Sequence, residues 1–348
     1  MKKPKHPIQI EIEEKIRAQG KADSTADAYW GWVSRYLEFC KANKIGRETP
    51  AEQAVTQFLS RLANIEDVSA NTQNQAFSAL CYFYNVVRNR PLVDVSALRA
   101  KRPDRIRDVL DQSELSALFA ELSGVALLTA RMMYASGFRI GEVAKIRIKD
   151  ISFERKQIVI RGAKGEKDRF VQFPKVLHQH VELQIESMKV LWKHDLASGL
   201  NGVSLPKAFG RKSPKAHLEF CWYYLLCADD YSRCPVSGRL LRHHRDMNHI
   251  GRLIKEASQR AGIQKRITSH SIRHSFATHS LESGVPIHFI QSLMGHESIE
   301  TTQRYMHASI HGATSAASPL ESLLSNPQQV IEQRRKDDDK PTLRIFAG

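Results

Sequence analysis

The amino-acid sequence predicts a mainly α chain with a small β-sheet, built as an N-terminal helical bundle followed by a larger α+β domain. Three observations carry this reading. Apolar residues recur at helical spacing through roughly the first 90 positions. A basic, proline-containing stretch then breaks the pattern, and a pair of short β-type runs lies inside an otherwise helical second half. With 348 residues, 42% of them hydrophobic, the chain has enough apolar side chains for two cores, since domains run roughly 100–200 residues.

In the first segment, residues 1–92, Tyr29, Val33, Tyr36, Leu37 and Cys40 mark one helix face, which Ser24 or Thr25 is placed to cap. Ala54, Val55, Phe58, Leu59 and Leu62 repeat the spacing, and so do Phe77, Leu80, Phe83, Tyr84 and Val87. Residues 93–108 hold Pro103 beside Arg99, Lys101, Arg102, Arg105 and Arg107. That composition fits either a solvated tether or a basic linker lying across phosphates. Asp111 and Glu114 form a capping-box-like helix start that opens the second domain, residues 109–325. Helical patterns follow at 124–136 and 140–146. Ile158–Ile160 and Phe170–Phe173 then read as two strands of a hairpin whose turn bears Lys164 and Lys167, with Arg169 just after it, Lys167 and Arg169 being expected DNA contacts. Further helices are expected at 174–191, 246–261, 269–282 and 286–294, and a short apolar one near 318–324. Residues 326–348 form a polar tail.

The formal net charge of +15 describes a basic surface suited to a polyanion. The N-terminus MKKPKHPIQIEIEEK alternates isoleucine with polar residues and lacks the apolar run of a signal peptide. No stretch approaches the roughly 18–20 apolar residues that cross a bilayer. A cytoplasmic protein with a nucleic-acid partner and no membrane partner is therefore expected. Cys40, Cys81, Cys221, Cys227 and Cys234 are odd in number and irregularly spaced, so they read as free thiols rather than a disulfide framework or a zinc site. No metal and no cofactor is expected.

Chemistry concentrates in His270-Ser-Ile-Arg273, in Leu293-Met-Gly295-His296 and in Thr301-Thr-Gln-Arg-Tyr305. His270 and Arg273 are three apart on a helix and share a face. Gly295 is placed to end a helix at a left-handed residue, leaving His296 at the turn. Singly, each has an ordinary reading: a packing histidine, a surface arginine, an amphipathic tyrosine.

As an ordered set, these motifs resemble the tyrosine recombinase family, over roughly residues 8–315. The resemblance assigns Arg139, in YASGFRIGEVAKI, to the first catalytic arginine. It assigns Lys164 to the hairpin lysine, and His270, Arg273 and His296 to the remaining electropositive and acid–base positions. Tyr305 becomes the nucleophile, and Glu142 a supporting acidic residue that holds Arg139 or His270. The chemistry fits these residue types. Charge gathers on the nonbridging oxygens of an attacked phosphodiester, and a guanidinium meets it with a planar, permanently charged fork. A phenol with a pKa near 10 needs a base, His270, and the departing 5′-oxygen needs an acid, Lys164. The phosphotyrosine keeps the energy of the broken bond, so neither ATP nor metal is required.

Residues 191–244 carry Asp195-Leu-Ala-Ser-Gly199, Val203-Ser-Leu-Pro206 and the pair His243-His244, and on these they resemble the added segment of integron integrases. That resemblance implies gene-cassette sites presented as folded single-stranded hairpins, with Trp222 stacking on a flipped base and Pro235, His243 and His244 shaping its pocket. The alternative is an insertion packed on its own domain with Trp222 as a core anchor. Leu226-Cys-Ala228 departs from the Phe-Pro-Ser typical there. The family further implies an N-terminal DNA-binding domain that closes with the catalytic domain as a clamp on duplex or folded DNA, and a homotetramer on paired sites. It leaves the 318–324 helix to dock either in a neighbour or on its own core. Two rival functions stay open: a phage-type or chromosome-dimer recombinase acting on duplex, and a non-catalytic DNA-binding relative.

Overall fold

A computed structural model describes residues 4–46, 48–95, 108–162, 168–200, 202–234, 238–295 and Thr302. Lys164, Lys167, Pro235, His296 and Tyr305 lie outside the described residues, as do most of the linker, the 318–324 segment and the tail. The chain divides into two units, Met1–Arg105 and Ile106–Gly348.

The first unit holds α1 (Pro7–Ala18), α2 (Asp23–Ala42), α3 (Ala51–Asn64) and α4 (Ala70–Tyr82), the last running on as a π-helical turn, Phe83–Val87. The periodic residues meet in its core, where Val33, Tyr36, Val55, Phe58, Leu59, Leu62 and Leu80 are buried with Ile12 and Ile16. Helix α2 starts one residue before the expected caps. Ala22 occupies the cap position without a side-chain bond, and Asp23 puts a carboxylate in the first turn, where it complements the helix dipole. Ser24 and Thr25 therefore lie inside the helix.

The second unit opens with α5 (Gln112–Ala120), where the expected capping box forms: Glu114 accepts the Asp111 backbone N–H at 2.8 Å. Then come α6 (Gly124–Ser136) and α7 (Ile140–Lys145). Strands β1 (Ile151–Ser152), β2 (Gln157–Ile160) and β3 (Arg169–Gln172) form an antiparallel sheet in that order, with Ile158 opposite Val171 and Ile160 opposite Arg169. The expected hairpin is present. The third strand, β1, is two residues long, too short to show a period in sequence. Beyond it lie α8 (His178–Ala197), α9 (Lys207–Lys212), a ribbon of β4 (Cys227–Arg233) with β5 (Leu240–His244), then α10 (Met247–Arg260), α11 (Ser269–Glu282) and α12 (Ile287–Met294). The main core gathers Leu118, Met132, Phe138, Ile158, Phe173, Leu225, Ile254 and Ile272 from most of these elements.

The added segment begins inside a helix, since α8 continues unbroken past position 191 to Ala197. It has a core of its own around Val203, Trp222, Tyr223, Tyr224 and Cys227. Two buried arginines tie it together. Arg242 grips Asp195 with two bonds of 2.8 and 2.6 Å and also donates to the carbonyls of Ala228 and Asp229. Arg147 donates to the carbonyls of Trp222 and Ser204 and to the Tyr224 hydroxyl.

Gly137 ends α6 in the left-handed region at φ 66°, and a Cβ there would lie 2.5 Å from the Phe276 ring. Gly284 has φ 82° with nothing within 4 Å. Strain acts at both positions, while overpacking acts only at the first. Chemical denaturation should therefore show Gly284→Ala losing about 1 kcal/mol and Gly137→Ala about 2–4 kcal/mol. Equal losses would contradict the packing at Gly137.

Candidate active site

The segment Ser136-Gly-Phe-Arg139 turns sharply because Gly137 reverses the chain and Phe138, fully buried, anchors it. Arg139 then takes an extended conformation and begins α7. Glu142, in the first turn of α7, reaches back to accept the Arg139 backbone N–H at 2.8 Å and, through its other oxygen, the Arg139 guanidinium at 2.8 Å. One carboxylate thus both caps a helix and aims an arginine.

A second arginine shares it. Arg169, the first residue of β3, makes a two-bond fork to Glu142, each bond 2.8 Å long. Arg273 from α11 approaches the same carboxylate at 3.8 Å. Burial alone would raise the Glu142 pKa, but the Arg169 fork, the Arg139 N–H and the two guanidinium charges outweigh it and bring it down to about 2. Glu142 is therefore an anion throughout the working pH range.

The C-terminal end of α12 completes the arrangement. Gly295 adopts the expected left-handed conformation, φ 60° and ψ 52°. Three successive carbonyls accept from the three arginines: Leu293 from Arg169 at 3.4 Å, Met294 from Arg273 at 2.6 Å, and Gly295 from Arg139 at 3.4 Å. Arg273 also donates to the Gly137 carbonyl. Cations at a helix C-terminus oppose its negative dipole end, which helps three guanidiniums coexist there. With one carboxylate among three arginines the cluster stays electropositive.

Arg139, Glu142 and His270 line an open cleft of about 460 Å³ together with Ile140, Gly141, Lys145, Arg161 and Gly162. His270 is exposed in the first turn of α11, while Arg273, one turn on, is 4% exposed. The structure places Arg139, Glu142 and His270 along one cleft, with Arg273 3.8 Å from the Glu142 carboxylate. The base of the hairpin is fixed beside them: Arg161 pairs with Asp150 at 2.6 Å and Asp168 at 3.0 Å, and Asp168 accepts the Gly162 N–H. A guanidinium has five N–H donors, and these contacts occupy two of those on the Arg139 side chain, so the fork can still engage an anion in the cleft.

Two expectations change. Arg169, read as a DNA contact, is 13% exposed and committed to Glu142 and Leu293. Its sequence neighbours gave no signal for this, because its partners lie far along the chain. Trp222, read as a base-stacking platform, is 8% exposed. The Phe209 ring lies 4.3 Å from it and the Lys149 ammonium 3.4 Å from its centroid, so it anchors the insertion's core. His243 is exposed, with its ring 5.7 Å from that of Tyr224 and 4.3 Å from that of His244. Desolvation, then the charges of His244, Arg147 and Lys145, hold its pKa below the usual histidine value. Among the described residues no cluster of three metal-ligating side chains occurs and no helix is long and apolar enough to cross a membrane.

Glu142 titrates lower in the folded chain than in the unfolded one, so its contribution to stability is complete above about pH 4.5 and disappears as pH falls toward about 2. Glu142→Gln should flatten the acid limb of the stability curve in that window by roughly 3 kcal/mol. Denaturant titration at pH 5 and pH 2.5 measures it; parallel curves for the two proteins would contradict the pairing.

Comparison with known proteins agrees with this geometry. The Phage integrase family matches residues 108–311, and the Phage integrase, N-terminal SAM-like domain matches residues 10–94. An integrase/recombinase of Escherichia coli is 35% identical over 314 residues, covering 90% of this chain and 93% of that protein. The tyrosine recombinase XerA of Thermococcus kodakarensis is 29% identical over 318 residues, covering 89% and 93%. Two solved structures share the fold: XerH bound to a palindromic difH substrate in a post-cleavage complex (18% identity, TM-score 0.56, 89% and 84% covered) and a lambda integrase dimer bound to a core site (14% identity, TM-score 0.56, 86% and 94% covered). With one family profile spanning more than half its length, the chain belongs to the phage integrase family, the tyrosine recombinases.

Proposed function

We propose that this protein is a site-specific DNA recombinase that cleaves and rejoins strands through a 3′-phosphotyrosine intermediate. The observation that carries the reading is the pairing of Arg139 and Arg273 around an ionised Glu142 at the edge of a cleft that His270 also lines. In this scheme the Tyr305 hydroxyl oxygen attacks the scissile phosphorus and forms the P–O bond to tyrosine, while the bond from phosphorus to the 5′-oxygen breaks. His270 takes the phenol proton. Lys164, carried by the hairpin turn, protonates the departing 5′-oxygen. Arg139 and Arg273 meet the charge on the nonbridging oxygens, and His296, next after Gly295, adds a donor. Losing either arginine should cost about 10²–10³ in cleavage rate, the range for one transition-state donor.

The finer assignment is to the integron integrase type, with gene-cassette sites taken as folded single-stranded hairpins by a tetramer. What supports it is the 191–244 segment, folded with its own core and exposing His243, whose ring lies beside His244 and the buried Tyr224. In this reading His243 and His244, rather than the buried Trp222, would meet an extrahelical base.

A nicked recombination site incubated with the protein in EDTA should give a covalent adduct that survives a denaturing gel and disappears in Tyr305→Phe. An adduct persisting in that variant, or strict dependence on added Mg²⁺, would refute the scheme. For specificity, binding to the folded bottom strand of a cassette site should exceed binding to its duplex, and His243→Ala should reduce the difference, since stacking is worth about 1–3 kcal/mol per base. Equal affinity for duplex and folded strand would exclude the integron type.

A further inference from the structure

Glu142 and Arg139 face a competition that their own spacing does not resolve. A carboxylate in contact with a transition-state arginine draws away the charge that the phosphate needs, and it does so more strongly in a water-poor site. Something must hold Glu142 back while leaving it ionised. Arg169 is in that position: its fork binds both Glu142 oxygens at 2.8 Å, its Nε reaches the Leu293 carbonyl, and its guanidinium lies against Gly295. A Cβ added at Gly295 would lie 3.0 Å from the Arg169 Cζ and Nε, so a side chain there would press on the guanidinium and shift it by a few tenths of an ångström.

We propose that Arg169 is a positioning residue for strand cleavage: it neutralises and orients Glu142 so that Arg139 is aimed rather than sequestered, and it locks the hairpin strand to the turn that precedes His296. This rests on the phosphotyrosine reading above. Arg169 touches three parts of the site at once, α7 through Glu142, β3 through its own backbone and the end of α12 through Leu293. Lysine retains the charge but is a point donor, not a fork, so it cannot bind both Glu142 oxygens and Leu293 together.

The test compares the full-length wild type, Arg169→Lys, Glu142→Gln and the double variant on a nicked site. Adduct formation is measured in a single turnover at saturating DNA, and DNA affinity in a Tyr305→Phe background. Arg169→Lys should keep DNA affinity within about twofold and lower the adduct rate by about tenfold or more, within the range that a 1 Å misplacement costs. Glu142→Gln should also slow the adduct at unchanged affinity, and the double variant should be no slower than Glu142→Gln alone. Weakened DNA binding with an unchanged rate at saturation would return Arg169 to a DNA contact and overturn the proposal; so would additive losses in the double variant. If Arg169→Lys does not fold, Glu142→Gln still decides, because an unchanged adduct rate there removes the residue through which Arg169 acts. A wild type that forms no adduct would contradict the phosphotyrosine reading instead. In that event the Glu142 carboxyl, followed by NMR in wild type and Arg169→Lys, decides the placement: its titration should move up in the variant, and an unmoved one overturns the proposal.

Discussion

An ionised carboxylate removed from water loses hydration worth several kcal/mol and must regain it from well-placed partners. Glu142 does so with four hydrogen bonds of 2.8 Å, two from Arg139 and two from Arg169. The arginines need the carboxylate equally, because three guanidiniums crowded at one helix end would otherwise repel one another. This mutual requirement fixes the relative positions of α7, β3 and the end of α12, and through Arg273 it reaches α11. The geometry of the arginine cluster is thus a consequence of how one buried anion is satisfied.

Two glycines make the arrangement sterically feasible. Gly137 lets α6 end directly against Phe276 and offers its carbonyl to Arg273, while Gly295 ends α12 with room for Arg169 above it. Each combines a left-handed backbone with a close approach, so neither is replaceable by a residue that satisfies only one of the two demands.

Much of this was legible in sequence, and the reasons differ by element. Helices α6, α11 and α12 were placed within a residue or so because their apolar period, glycine stops and H-x-x-R spacing act locally. The family resemblance left Glu142 to hold either Arg139 or His270, and the capping geometry that pairs it with Arg139 emerges only in the folded chain. Arg169 was misread because its role depends on Glu142 and Leu293, 27 and 124 positions away, and a basic residue after a basic hairpin turn looks like a phosphate contact. For Trp222 the sequence left base stacking and core anchoring both open, because tryptophan serves core and surface equally well and the Phe209 ring that covers it arrives from a separate helix; its burial favours the anchor. Helix α8 ran past position 191 because nothing in that stretch stops it before Gly199.

The central claim is that Glu142 stays bound to Arg139 and Arg169 while Arg139 and Arg273 turn their remaining donors on the phosphate. A crystal structure of the protein on a nicked site, with vanadate occupying the place of the scissile phosphorus, tests this most directly. The account predicts Arg139 and Arg273 within about 3 Å of the equatorial oxygens, with the Glu142–Arg169 fork intact. A structure in which Glu142 has released Arg169, or in which Arg169 itself contacts the vanadate, would contradict it.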